Sequence, residues 1–132
     1  MHRLRTKRVY DAPATNDGIR VLVDRLWPRG LSKEQARLDH WLKEIAPSSA
    51  LRLWFNHDDS RWQEFKRRYF DELATLDEQV AQLRKLLRGN PVTLLYSARS
   101  ETHNNAVALA EFLRKWPSAA RQRRTRSADP SS

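Results

Sequence analysis

The chain has 132 residues, of which 39% are hydrophobic and 31% charged, with a formal net charge of +9 and no cysteine. That length suits one compact domain with a small core of its own, and the absence of cysteine excludes disulfide staples, thiolate metal sites and cysteine nucleophiles, in keeping with a reducing compartment. His2, His40, His57 and His103 show no His-x-x-x-His spacing, no apolar run reaches membrane-spanning length, and MHRLRTKRVY lacks the apolar stretch of a signal peptide, so the chain reads as metal-free, soluble and cytoplasmic.

In chain order, Lys7 to Tyr10 (KRVY) reads as a short first strand, and the turn-rich DAPATNDG leads into a β-branched apolar strand over Ile19 to Leu26. Pro28 and Gly30 stop that strand. Ser32 is placed to cap a helix, with Gln35 three residues on as in a capping box, and the pattern continues through Trp41, Leu42 and Ile45 after a break near Asp39. Ser48 or Ser49 then caps a short helix burying Leu51, Leu53, Trp54 and Phe55. The clearest helix follows, with Trp62, Phe65, Tyr69 and Leu73 on one stripe, and a second runs from Asp77 to Leu87 with Val80, Leu83 and Leu87 inward. Val92 to Tyr96 is a compact apolar strand, and Ser100 or Thr102 caps a last helix bearing Ala106, Leu109, Ala110 and Leu113. Residues 1–118 are thus expected to form the domain, and 119–132, rich in Arg and Ser, a basic disordered tail.

The order of elements predicts an α/β fold with a small, largely parallel sheet of about three strands or slightly more, packed with about five helices. In such sheets ligands bind beyond the carboxyl ends of the strands, where loops meet helix N-termini. Two apolar strands here end in polar residues. One runs into VDRLWPRG, with Asp24, Arg25, Trp27 and Arg29; the other runs into YSARSETHNN, with Tyr96, Ser97, Arg99, Ser100, His103, Asn104 and Asn105. If the strands are parallel neighbours, both sets open onto one edge.

KRVYD, DGIRVLVDRLWPRGLSK, WLKEIAPS, LRLWF, TLLYSAR and HNNAVAL, in this order and spacing, resemble the YeaO-like branch of the DUF488 family over about Lys7 to Trp116. The resemblance implies an α/β domain of bacterial and archaeal cytoplasmic proteins. It places signature residues at Asp24, Arg25, Trp27, Pro28, Arg29 and Gly30, at Trp41, Lys43, Pro47 and Ser48, and at Tyr96, Ala98, Asn104 and Ala106. It implies no particular activity or cofactor. Some members carry lysine at the position of Arg99, which asks only for a positive charge there. Others carry glutamine at His103, which argues against that histidine as an essential catalyst.

Each candidate has two readings. Asp24 is a general base beside an anion clamp, or pairs with Arg29 or Lys43 to pin its loop. Arg25 and Arg29 are suited to two-point contact with phosphate or carboxylate, Arg29 most of all because Pro28 and Gly30 fix its turn. Trp27 is a stacking wall or core. His103, expected in the first turn of the last helix, is a neutral proton acceptor or a capping residue. Asn104 binds a ligand or its own helix end. Ser97 follows a strand as a nucleophile would, without a Gly-x-Ser-x-Gly frame.

Three function classes stand open. The first is a site for a small anionic or phosphorylated ligand, with or without chemistry, in which Asp24 and His103 are the catalytic candidates and Arg25, Trp27, Arg29, Tyr96, Ser97, Arg99 and Asn104 the binding ones. The second is nucleic-acid binding. The net charge sits mainly at the ends, with +4 on residues 1–8 and +3 on 121–132, leaving +2 between. Flexible basic ends attract polyphosphate through counterion release, and also occur as solvated tails. The third is a partner-binding domain whose signature residues form a polar network.

Overall fold

The computed structural model describes residues 3–116. The expected tail over 119–132 lies outside the described residues. Four strands form one parallel sheet: β1 (Leu4–Arg8), β2 (Ile19–Leu22), β3 (His40–Trp41) and β4 (Val92–Tyr96), in the order β1-β4-β2-β3. The two apolar strands β4 and β2 are therefore central neighbours, with Leu22 beside Leu95, and their carboxyl ends share one edge.

Side-chain alternation along the strands sorts the core into two layers. Val21, Val23, Val92, Leu94 and Tyr96 face the larger layer, which is closed by α2 (Ser49–Phe55), α3 (Trp62–Leu73), α4 (Asp77–Leu87) and α5 (Asn105–Lys115). Leu22 and Leu95 face the other way, where Val9 and the short α1 (Lys33–Ala36) cover them with Trp27, Leu31, Leu38 and Trp41. Both faces of the central strands are thus buried, which explains why VTLLY reads as a continuous apolar run. The predicted stripe Trp62, Phe65, Tyr69 and Leu73 is buried in full.

The ends of the elements differ from the sequence reading for identifiable reasons. The first strand lies earlier than Lys7–Tyr10, with Leu4 pairing to Val92 and Arg8 to Tyr96. The second stops at Leu22 rather than Leu26, apart from one more bond in which the Val23 amide donates to the Leu95 carbonyl at 3.1 Å. Ser32 does cap α1, with Gln35 completing the capping box, but the helix does not resume toward Ile45. Arg37 turns left-handed at φ 49° and ends it, and the next residues pair with β2 instead: the Asp39 amide donates to Arg20 and the Leu42 amide to Leu22, both at 2.9 Å. Trp41 is consequently in a strand and Lys43–Ile45 in a single 3-10 turn. In α2, Leu51 and Phe55 point inward one turn apart, whereas Leu53 falls on the opposite side and is 76% exposed.

Beneath β2 on the α1 side lies a buried ionic cluster. Arg20, 5% exposed, reaches Asp17 at 2.6 Å and donates to the carbonyls of Ala36 at 2.6 Å and Arg37 at 3.0 Å. Lys7 Nζ completes the pairing of Asp17 at 3.1 Å, and Thr93 Oγ1 donates to the Asp17 carbonyl at 2.7 Å. Gly18 closes this turn at φ 68°, and a Cβ there would sit 2.2 Å from the Pro91 carbonyl oxygen. Only glycine meets both conditions.

This cluster also corrects the picture of a flexible basic N-terminus. Lys7 is paired with Asp17, Arg5 donates to the Asn16 carbonyl, and Arg8 donates to the carbonyls of Ala98 at 2.9 Å and Ser97 at 3.2 Å. These cations stitch the first strand to the sheet. Among the described residues, no helix is long and apolar enough to cross a membrane.

Candidate functional site

The carboxyl edge of the sheet holds a cavity of about 370 Å³. The segment after β2 contributes Asp24, Arg25, Leu26, Trp27, Pro28 and Arg29 to its lining, and the segment after β4 contributes Ser97, Ala98, His103, Asn104 and Asn105. The helical layer adds Ala46, Pro47, Arg52, Phe55, His57 and Phe65. A volume in this range is typical of a small-ligand pocket.

At its centre, Asp24 is tied to the opposite loop. Its Oδ2 accepts from the Ser97 amide at 2.9 Å and from Ser97 Oγ at 2.7 Å, and its Oδ1 accepts from Asn105 Nδ2 at 3.1 Å. The same Asn105 amide group donates to the Val23 carbonyl at 2.9 Å. Asp24 thus links the ends of β2 and β4 to the first residue of α5. Burial pushes its carboxyl above the ordinary range, opposed by the bonds from Ser97 and Asn105 and by the field of Arg52.

The expected pairing of Asp24 with Arg29 or Lys43 does not occur. Ser97 and Asn105 already occupy the carboxylate, and Lys43 instead stands over the Trp41 ring at 4.7 Å. Arg25 donates to the carbonyls of Ala46 at 3.2 Å and Pro47 at 3.4 Å, while its buried Nε has no partner. Arg29 is exposed. Its carbonyl accepts from the Tyr10 hydroxyl at 2.8 Å, and Gly30 follows at φ 77°, so its backbone is held.

Trp27 packs against the smaller core layer. Its indole N–H donates to the Leu31 carbonyl at 2.6 Å, its ring meets Trp41 edge-on at 5.4 Å, and it also lines the cavity. Trp41 in turn donates to the Asp24 carbonyl at 2.8 Å, so the tryptophan pair braces the Asp24 turn.

The last helix begins later than expected. Asn104, not Ser100 or Thr102, is the cap, with Oδ1 accepting from the Val107 amide at 2.9 Å. Ser100 Oγ instead accepts from the His103 amide at 2.9 Å, shaping the preceding turn. His103 therefore precedes the helix rather than lying in its first turn. Its Nδ1 lies 3.1 Å from Asp59 Oδ1 and its ring packs on Trp62 at 4.8 Å.

The structure thus brings Asp24, Arg25, Trp27, Arg29, Ser97, His103 and Asn104 to one cavity. Tyr96 is buried in the larger core layer and Arg99 is exposed, and neither lines the cavity. The sequence reading missed Arg52, Phe55, His57 and Phe65. Arg52 and Phe55 are three residues apart in an apolar seven-residue helix, and that lone cation three positions before an aromatic was their only local signal. Consecutive left-handed residues, Asn56 at φ 48° and His57 at φ 55°, turn the chain beside the cavity.

A family model described as "Inactive DUF488-N3 subclade" matches residues 3–132. The chain is 44% identical over 111 residues to Uncharacterized protein YeaO of Escherichia coli strain K12, an alignment spanning 84% of this chain and 96% of that one. This chain belongs to the DUF488 family, in its YeaO-like branch. Other DUF488 relatives include Uncharacterized protein Rv3073c of Mycobacterium tuberculosis strain H37Rv and Mb3100c of Mycobacterium bovis, each 41% identical over 111 residues, which is 84% of this chain and 93% of theirs. No solved structure matches significantly.

Proposed function

We propose that this DUF488 domain binds a small anion in the carboxyl-edge cavity and does so without chemistry on it. One observation carries the reading: Arg25, Arg29 and Arg52 all line the cavity, and among the described residues none of them forms an ion pair with a carboxylate. The single carboxylate in the lining, Asp24, is engaged by Ser97 and Asn105. Three arginines lining one cavity with a single carboxylate favour an anionic guest, which Arg can hold by paired N–H donors.

Two features argue for binding rather than catalysis. Ser97 Oγ donates to Asp24 while His103 is held by Asp59 and Trp62, so among the described residues Ser97 and His103 form no hydrogen-bonded pair. The subclade's description as inactive agrees with that. At the N-terminal end the nucleic-acid alternative draws less support, because Arg5, Lys7 and Arg8 each bond within the fold.

Thermal unfolding at low ionic strength with rising inorganic phosphate tests the proposal. At about ten times the dissociation constant, phosphate should stabilise the wild type by about 1.4 kcal/mol, a rise of roughly 5 °C in Tm. Arg29→Ala and Arg52→Ala should lose most of that rise. Equal rises in all three proteins would overturn it.

A further inference from the structure

We infer that the anion this cavity accepts is carried on an aromatic body, an inference that rests on the anion-binding reading above. The cavity has two unlike sides. From the loops come Arg25 and Arg29, and from the helical layer come Phe55 and Phe65, whose rings lie 4.5 Å apart.

The aromatic side belongs to a longer run of rings. Phe65 stacks on Trp62 at 5.6 Å with planes only 17° apart, and Trp62 meets the His103 ring at 4.8 Å. This packing fixes the orientation of the rings before any guest arrives. Pro28, Ala46, Pro47 and Ala98 add further apolar lining, so charge is confined to a few fixed points.

Arg52 and Phe55 join the two sides. They stand at i and i+3 of α2, on one face of the helix, and both line the cavity. A guest whose flat ring reaches Phe55 therefore meets Arg52 one helical turn away, with Arg25 and Arg29 in the same lining. A bare inorganic anion would leave the aromatic side unused. A neutral aromatic would leave the arginines unpaired. A carboxylate or phosphate attached to an aromatic ring satisfies both, because ring burial and charge pairing act at separate contacts.

Calorimetric titration of the full chain with inorganic phosphate, phenyl phosphate, benzoate and phenol separates the contributions. Phenyl phosphate or benzoate should bind about tenfold or more tightly than inorganic phosphate, and phenol more weakly than either aromatic anion. The better of the two identifies the preferred head group. Phe55→Leu should reduce the ratio of aromatic-anion to phosphate affinity toward one, and Arg52→Gln should weaken the aromatic anions and phosphate alike. Should Phe55→Leu fail to fold, the wild-type ratio of phenyl phosphate and benzoate to phosphate decides. If phosphate binds as tightly as both aromatic anions, the aromatic class is overturned and the anion reading survives. If no anion binds, or if phenol binds as well as phenyl phosphate, the anion reading itself fails.

Discussion

One buried cluster holds a single arginine and the cavity lining holds three, and their partners differ. Beneath β2, Arg20 is buried with Asp17 at 2.6 Å, two carbonyls share its remaining donors, and Lys7 completes the pairing. At the carboxyl edge, Arg25, Arg29 and Arg52 line a cavity, and among the described residues none of them forms an ion pair with a carboxylate. Arg20 is paired within the protein itself, so its role ends with the fold. The cavity arginines leave positive charge available to something else. Substitutions should separate the two groups cleanly, the first losing stability and the second losing affinity.

Arg20→Ala should produce the largest effect. It strips Asp17 of its closest partner and leaves the carbonyls of Ala36 and Arg37 without their donor. Breaking a buried pair from one side costs about 3–5 kcal/mol, which denaturant unfolding would register as a lower midpoint at unchanged slope. Asp24→Ala comes next at about 2–3 kcal/mol, because the Ser97 amide and hydroxyl lose their acceptor at the junction of β2 and β4.

Acidity should move the two regions in opposite directions. Burial alone would raise Asp17, but the Ala14 amide and the side chains of Lys7 and Arg20 outweigh it and hold the carboxyl below the ordinary range. Its stabilisation is therefore present above the unfolded value near about 3.9 and is lost as pH falls through the lower folded one. Asp24 is raised by burial, so its contribution is fullest below the unfolded value and is lost as pH rises through the higher folded one. Measured between about pH 2 and 7, the stability of wild type relative to Asp17→Asn should grow with rising pH, and relative to Asp24→Asn it should shrink. Parallel trends would remove the distinction between the two carboxylates. The smallest effect belongs to Arg52→Ala. This exposed residue should change stability by no more than about 0.5 kcal/mol while reducing phosphate binding.

Much of the frame was legible in the sequence because it depends on local periodicity. The stripe Trp62, Phe65, Tyr69 and Leu73, the α4 boundaries Asp77–Leu87, the strand Val92–Tyr96 and the Ser32 capping box all follow from patterns within one or two turns of chain. The convergence of VDRLWPRG and YSARSETHNN was legible too, through the rule for parallel sheets. What escaped depends on partners far away in sequence. The His40–Trp41 strand exists only because β2 offers an edge to pair with, and α5 starts at Asn105 because Asn104 rather than Ser100 supplies the capping oxygen. Arg52 and Phe65 reach the cavity through the packing of α2 and α3, which no local pattern announces. The partners of Asp24 escaped for a related reason: nearby cations in sequence suggested ion pairing as one of two readings, whereas the fold brings the uncharged Ser97 and Asn105 to it across β4 and α5.

The contrast between neutralised and unpaired arginines can be observed at the guanidiniums themselves. In ¹⁵N-resolved NMR spectra the arginine Nε–H signals, assigned with the variants Arg20→Lys, Arg25→Lys and Arg52→Lys, can be followed as inorganic phosphate is added at low ionic strength. The Arg25 and Arg52 signals should shift along one saturating curve, while that of Arg20, whose Nε already donates to the Arg37 carbonyl at 3.0 Å, should stay in place. A folded protein in which none of the three responds, or in which all three drift together without saturating, would contradict the assignment of this edge as an anion site.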